Sequence, residues 1–177
     1  LLSASAPRLA ALDQLNRVIY VSSFSKTLSA GLRVGYIAAS AERASVLCDL
    51  KMVTVVSTSD FVERVAHQLI SGGHYRRHLG RLQARLDAAL GPALKFFNKV
   101  GLAVHSGYTG GYYLWVAVPK GFTEIELARR AAASGIFLAP GAVFYPDRQG
   151  QSPVMRVNIA YASDGRFLRF MEQTVEA

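Results

Sequence analysis

Apolar residues follow two different spacings along this chain, and each spacing predicts one type of element. Short, continuous apolar runs bounded by polar or glycine-containing segments are typical of buried strands. The clearest run ends at Pro119, a residue that cannot donate a hydrogen bond to a strand ladder. The predicted strands are Arg17–Val21, Leu32–Ala39, Leu102–His105, Tyr112–Val118, Ile136–Ala139 and Val154–Tyr161.

Between these runs, apolar residues recur every three or four positions, which predicts amphipathic helices. Serine or threonine before such a segment is a typical N-cap, and glycine after it is a typical stop. Thr123 with Glu126 has the spacing of a capping box. The predicted helices begin at Ser40, Ser59, His74, Thr123 and Ser163 or Asp164. A break is predicted at Thr54–Ser59, and Gly72–Gly73 is predicted to end the helix that begins at Ser59. Gly91–Pro92 is predicted to interrupt the helix that begins near His74 or to start a new turn.

Composition indicates a globular chain. Hydrophobic residues make up 51% of the 177 positions, and no apolar run reaches the roughly 18 residues of a membrane span. No charged and then apolar leader opens the sequence, so we expect a cytoplasmic protein with no membrane partner. The single cysteine, Cys48, falls in an apolar helical stretch and is expected in the core.

The charge balance is basic. Lys plus Arg number 20 against 12 acidic residues, a formal net charge of +8. Such a balance permits nucleic acid, anionic ligands or an acidic partner, and selects none of them by itself.

A polar segment with one lysine separates the first two predicted strands. Lys26 follows the carboxyl end of a strand, where open α/β sheets collect their ligands. Its amine can form a Schiff base with an aldehyde, while Ser23, Ser25 and Arg33 can hold a phosphate. A triphosphatase phosphate loop is excluded, because its two required glycines fall on Tyr20 and Ser25.

Residues 23–36 read Ser-Phe-Ser-Lys-Thr-Leu-Ser-x-Gly-Leu-Arg-x-Gly-Tyr. This run resembles the cofactor-lysine motif of fold-type I pyridoxal-phosphate aminotransferases (class I/II). More narrowly, it is similar to the aminotransferase-like C-terminal domain of MocR-type regulators of the GntR family. The resemblance implies that Lys26 bonds pyridoxal 5'-phosphate, that Ser23 and Ser25 supply phosphate hydroxyls, and that Arg33 supplies the phosphate guanidinium.

The resemblance also implies a fold and a domain division. The chain is expected to be α/β with an α+β small domain, the C-terminal part of a pyridoxal-phosphate-dependent transferase. Residues 1–45 would be the end of the large, cofactor-binding domain and 46–177 the small domain. The aspartate that pairs with the cofactor ring is expected before Leu1, so the 177 residues alone are expected to be inactive or weakly active.

A second candidate residue is Arg156, which lies in the apolar strand Val154–Ala160. A guanidinium among residues that favour burial needs a partner, and its fork matches a carboxylate. The residues alone leave open an edge-strand arginine or an internal ion pair. The resemblance implies that Arg156 binds the α-carboxylate of an amino acid, and that Ala139–Phe144 and Gly110–Trp115 shape the pocket.

Other candidate chemistry is weaker. His74 and His78 have the spacing of metal ligands on a helix, but Tyr75 stands where a zinc protease has glutamate, and two arginines lie between them. We therefore predict no metal.

Two other motifs and one surface were considered. Gly107–Gly111 lacks the three spaced glycines of a dinucleotide site. No histidine has a nucleophile elbow nearby. A basic helix surface remains, at Arg76, Arg77, Arg81 and Arg85, and is either solvated or a contact for DNA or a subunit.

Two functional classes follow from the resemblance. The first is the effector-sensing, transaminase-like part of a GntR/MocR-type transcription regulator, which would contact DNA only through a separate N-terminal domain. The second is a free-standing class I/II amino-acid aminotransferase. Either would take an amino acid as substrate or effector and form a homodimer. An inert fragment is a third possibility.

Overall fold

The computed structural model describes residues 7–105, 111–147 and 153–176, and it mixes helices with two small antiparallel sheets. The strands are β1 (Tyr20–Ser23), β2 (Gly35–Ala38), β3 (Tyr113–Ala117), β4 (Ala139–Pro140) and β5 (Val154–Asn158). The helices are α1 (Leu9–Asp13), α2 (Ala41–Thr54), α3 (Asp60–Ser71), α4 (His74–Lys99), α5 (Glu124–Ala133) and α6 (Gly165–Val175). None of the described helices is long and apolar enough to cross a membrane.

The chain divides into two compact units. The described residues up to Arg81 form the first unit, and those from Leu82 onward form the second. The predicted boundary between residues 45 and 46 separates the large and small domains of the aminotransferase fold, whereas the boundary at Arg81 separates two compact units of this chain. The predicted domain boundary stays a prediction.

The first unit contains the β1–β2 pair. The two strands run antiparallel, with Tyr20 opposite Ala38 and Ser23 opposite Gly35. Both strands were predicted to be buried, but Val21 is 68% and Ile37 52% exposed. The sheet has only two strands among the described residues, and their apolar side chains are only partly covered by the rest of the described chain.

Helix α2 shows the same exposure. None of its residues is buried, and Cys48 is exposed instead of lying in the core as expected. The apolar residues of α2 do not share one narrow face, so packing against any single surface in this unit would leave many of them uncovered. The helix boundaries themselves agree with the sequence prediction, including the break after Thr54 and the stop at Gly72–Gly73.

The second unit holds the main core. β5 lies between β3 and β4 in an antiparallel sheet, and α4, α5 and α6 supply apolar side chains. The core side chains with the least exposure are Phe97, Leu86, Leu114, Leu127, Met155, Ile159, Met171 and Val116. The predicted capping box of α5 is present, with Thr123 and Glu126 bonded to each other's backbone N–H groups.

Three predicted elements differ from the structure. Helix α4 continues through Pro92, because Ala93 and Phe97 on the same helix are fully buried in the core and that packing outweighs one lost backbone hydrogen bond. The strand predicted at Leu102–His105 is a single bridge, between Val104 and Val116. The strand predicted at Ile136–Ala139 is reduced to β4, because only Ala139 and Pro140 pair with β5.

Candidate functional site

The loop between β1 and β2 carries three of the five predicted site residues, and a fourth, Ser23, ends β1. Its base is closed where the Phe24 N–H donates a 3.0 Å hydrogen bond to the Val34 carbonyl. The Phe24 carbonyl in turn accepts from the N–H groups of Leu28 (2.7 Å) and Ser29 (3.1 Å). Residues 25–27 therefore form a tight turn with Lys26 exposed in its middle.

The three predicted phosphate-binding residues flank the closed base of this loop. Ser23 ends β1 and faces Gly35 across the pair, Ser25 begins the turn, and Arg33 lies beside Val34. Arg33 has a left-handed backbone, with φ of 52°, which is uncommon for a residue other than glycine. Strained backbone of this kind is characteristic of ligand-binding segments, so it is consistent with a functional role for Arg33.

The loop is also electrostatically suited to an anion. Residues 14–41 contain Arg17, Lys26 and Arg33 and not one aspartate or glutamate. A phosphate held by the Ser23 and Ser25 hydroxyls and the Arg33 guanidinium would face no carboxylate from this segment. The donor set therefore fits the phosphate and aldehyde of pyridoxal phosphate.

Tyr75, from the first turn of α4, supports the lysine turn from the side. Its hydroxyl donates a 2.8 Å hydrogen bond to Oγ1 of Thr27, and its ring meets the Phe24 ring edge-on at 5.5 Å. This role was not predicted from the sequence, where the segment around Tyr75 drew attention only for its histidines and arginines.

Arg156, the fifth predicted site residue, lies on the side of the β3–β5 sheet opposite the core. Trp115 on β3 and Ala139 on β4 are its register partners. Because side chains alternate along a strand, Tyr113, Trp115 and Arg156 share one face. The other face presents Leu114, Val116, Met155 and Val157, all at most 3% exposed.

The Arg156 guanidinium lies between two aromatic rings. Its carbon Cζ is 4.1 Å from the Tyr113 ring centroid and 4.4 Å from that of Phe144. Two aromatic rings at this distance stabilise the charge of the guanidinium. No carboxylate among the described residues lies within 4.0 Å of it. The internal ion pair that the sequence left open is therefore not formed within the described part of the chain.

The segments expected to shape the pocket supply these rings. Tyr113 belongs to the glycine-led segment Gly110–Trp115, of which Gly110 lies outside the described residues, and Phe144 ends the turn after Pro140. Phe144 also meets Trp115 edge-on, with ring centroids 5.2 Å apart. The contacts of both rings with the guanidinium were not predicted from the sequence.

The histidines of α4 have no third ligating side chain beside them in the described chain. Nδ1 of His74 lies 3.0 Å from Nη2 of Arg77, and no group of three or more ligating side chains occurs among the described residues. Four arginines of α4 are exposed, namely Arg76, Arg77, Arg81 and Arg85.

The two groups of predicted site residues belong to different compact units. Lys26 and its neighbours lie in the first unit, and Arg156 lies in the second.

Comparison with known proteins gives a family match over almost the whole chain. Residues 2–173 match the family model described as aminotransferase class I and II. Relatives include the HTH-type transcriptional regulator YdfD of Bacillus subtilis, 30% identical over 86% of this chain and 31% of that protein. They also include aromatic-amino-acid aminotransferase 1 of Thermococcus litoralis, 29% identical over 93% of this chain and 40% of that protein.

Solved structures agree with this match. LysN, the alpha-aminoadipate aminotransferase of Thermus thermophilus, was solved with N-(5'-phosphopyridoxyl)-L-leucine. It is 25% identical, with a TM-score of 0.84 over 99% of this chain and 47% of that one. The chain thus spans less than half the length of each of these proteins.

Proposed function

Because this chain belongs to the aminotransferase class I and II family, we propose that it carries the cofactor lysine and the carboxylate-binding arginine of a pyridoxal-phosphate-dependent domain. The family and the LysN complex indicate pyridoxal phosphate as the cofactor. The observation that carries the proposal is the closed loop with Lys26 in its turn and Ser23, Ser25 and Arg33 beside its base.

Each residue of the loop has a separate task. The Ser23 and Ser25 hydroxyls donate hydrogen bonds to the cofactor phosphate, and the Arg33 guanidinium offers it two parallel N–H donors. When bound, pyridoxal phosphate supplies an electron sink for reactions at the α-carbon of an amino acid. The Lys26 amine would hold the cofactor, and once the amino group of the substrate has displaced it, Nζ of Lys26 would take up the proton that leaves the α-carbon.

Arg156 binds the amino acid through its α-carboxylate. Its guanidinium is held between Tyr113 and Phe144 and has no carboxylate partner in the described chain, so its N–H edge is available for a bidentate contact. Holding the carboxylate fixes the orientation of the amino acid, which lowers the entropic cost of the reaction.

We propose that the whole protein is a GntR/MocR-type transcription regulator and that this chain is part of its effector-sensing domain. Several relatives are HTH-type transcriptional regulators, which supports this choice. In that protein a separate N-terminal domain would bind DNA, and the protein would be a cytoplasmic homodimer. The alternative is a free-standing amino-acid aminotransferase, supported by relatives of that kind.

Borohydride trapping in the full-length polypeptide tests the cofactor assignment. Pyridoxal phosphate is added, the protein is reduced, and the labelled peptide is mapped by mass spectrometry. We expect the label on Lys26 and its loss in Lys26→Ala. Lys51→Ala, which removes a half-exposed lysine of the same unit, should keep the label. Label on another lysine, or none in the unmodified protein, would contradict the proposal.

A second measurement separates the two whole-protein alternatives. A regulator should bind DNA specifically and change that binding when an amino acid is added, with little or no turnover. An aminotransferase should convert an amino acid and a 2-oxo acid continuously and bind no specific DNA.

A further inference from the structure

Glu124, the first residue of α5, makes two hydrogen bonds to a distant turn. Its Oε2 accepts from the Gly141 N–H at 3.1 Å, and its Oε1 accepts from the Ala142 N–H at 2.9 Å. Each carboxylate oxygen thus holds one of two successive backbone donors. Hydrogen bonds to an ionised acceptor are the stronger kind, and two in parallel fix orientation as well as distance.

The same turn also packs closely against β5. Gly141 is buried, and a Cβ atom placed on it would lie 2.5 Å from Cγ2 of Val154 and 2.8 Å from the Val154 carbonyl oxygen. Just before the turn, Ala139 and Pro140 pair with Arg156 and Met155. The 3-10 turn Gly141–Phe144 is therefore fixed at its start by Glu124 and by close backbone contact.

The end of this turn carries the ring that covers Arg156. Phe144 lies 4.4 Å from the guanidinium carbon and 5.2 Å from the Trp115 ring. An arginine side chain has several rotatable bonds, so binding through it is weakened unless its conformation is already set. A ring held on one face of the guanidinium removes part of that freedom.

We propose that Glu124 is a positioning residue for Arg156. Its carboxylate holds the turn Gly141–Phe144, the turn holds the Phe144 ring on the guanidinium, and the guanidinium presents its N–H edge to an incoming carboxylate. This inference rests on the proposed role of Arg156 as the receptor of the amino-acid carboxylate.

The alternative explanation is that the negative charge of Glu124 only stabilises the N-terminal end of α5, and the same helix supplies a matched control for it. Glu126 lies in the same first turn and caps α5 through Thr123. Glu124→Gln keeps the side-chain volume but replaces one acceptor oxygen with an NH2 group facing a backbone N–H. Glu126→Gln removes the same charge from the same turn of the helix.

The experiment uses the full-length polypeptide with pyridoxal phosphate bound. The twenty common amino acids are screened for a change in the cofactor absorbance, and the one with the largest change is titrated beside its amide, which lacks the carboxylate. The ratio of the two affinities measures carboxylate recognition. Trp115, labelled as 5-fluorotryptophan and assigned through Trp115→Phe, reports the position of Phe144 by its fluorine resonance.

In Glu124→Gln we expect the affinity for the amino acid to fall roughly fivefold to tenfold, with the affinity for the amide unchanged and the Trp115 resonance shifted or broadened. Glu126→Gln should change neither. An equal loss of affinity for acid and amide, or an unchanged ratio, would overturn the inference. If Glu124→Gln does not fold, Phe144→Leu is used in its place. An unchanged ratio of the affinities for acid and amide in that variant would also overturn the inference.

Arg156→Gln separates failure of the inference from failure of the proposed function. It should abolish the preference for the acid over the amide. If that preference survives in Arg156→Gln, or if no amino acid changes the absorbance, the proposed function is wrong and the inference falls with it. If Arg156→Gln loses the preference and Glu124→Gln keeps it, the inference alone is wrong.

Discussion

Tyr75 and Thr27 lie 48 residues apart in the sequence, yet the Tyr75 hydroxyl donates a 2.8 Å hydrogen bond to Oγ1 of Thr27. Thr27 directly follows Lys26, so this bond links the start of α4 to the turn that carries the lysine. The contact between the Tyr75 and Phe24 rings adds a second link beside it.

Tyr75→Phe should loosen the lysine turn without removing the aromatic packing. The variant loses one partly buried hydrogen bond, and we expect a decrease of about 1 kcal/mol in the free energy of unfolding. Urea denaturation measures this, and hydrogen exchange should show faster exchange for the amides of residues 24–29. Tyr161→Phe, at a tyrosine that is 69% exposed, serves as the control. An equal effect in both variants would argue against a specific role for Tyr75.

Gly35→Ala should disturb the base of the cofactor loop. A Cβ atom at Gly35 would lie 2.8 Å from the Ser22 carbonyl oxygen and 3.3 Å from Cβ of Ser23, so β1 would have to shift. Overpacking of this kind costs about 1–3 kcal/mol of stability. Because Ser23 is a proposed phosphate ligand, the affinity for pyridoxal phosphate should fall as well, as measured by fluorescence titration.

Gly31→Ala is the matched control within the same loop. The nearest atom to a Cβ there is Oγ of Ser29 at 3.7 Å, an ordinary contact distance. We expect near-unchanged stability and cofactor affinity. A loss of cofactor affinity in Gly31→Ala as large as in Gly35→Ala would show that the close contact with β1 is not the cause.

Two glycines within α4 should respond differently to alanine. A Cβ atom placed on Gly80, in the helix interior, would have no described neighbour within 4 Å, so Gly80→Ala should raise the stability by about 1 kcal/mol. Gly91 is equally unobstructed, but it precedes Pro92, and a Cβ before proline disfavours helical backbone. Gly91→Ala should therefore bring little gain or a loss. Equal gains on thermal denaturation would contradict this reasoning.

The N-cap of α6 should make stability depend on acid pH. The Arg166 side chain, and after it the Arg166 backbone N–H, lower the pKa of Asp164 to about 2, below its ordinary value of about 3.8. A group with a lowered folded-state pKa stabilises the protein above its unfolded pKa and loses that contribution as the pH falls. The stabilisation by Asp164 should therefore be complete at pH 7 and disappear between about pH 4 and pH 2.

Asp164→Asn tests this pH dependence. The variant should be less stable than the unmodified protein at neutral pH, and the difference should shrink as the pH approaches 2. Urea denaturation at a series of pH values gives both curves. A difference that stays constant down to pH 2 would mean that the charge of Asp164 does not contribute.

Local signals in the sequence were sufficient to predict many of the helix ends of this molecule. The capping box at Thr123 and Glu126 and the stop at Gly72–Gly73 were predicted because each depends on residues within a few positions of one another. The N-cap of α6 was predicted at Ser163 or Asp164, and it is Asp164. The family was likewise predicted from the run around Lys26, and it is confirmed by the match over residues 2–173. The roles of Lys26, Ser23, Ser25, Arg33 and Arg156 stay predictions.

Contacts between residues far apart in the sequence required the tertiary structure. Helix α4 passes through Pro92 because the core holds Phe97, and Cys48 is exposed because the described residues of the first unit fully bury no residue of α2. The rings that flank Arg156 come from residues 113 and 144, and Glu124 reaches a turn 17 residues away. Periodicity and spacing report which residues share an element, whereas the energy of these contacts depends on how elements pack, so only the folded chain decides them.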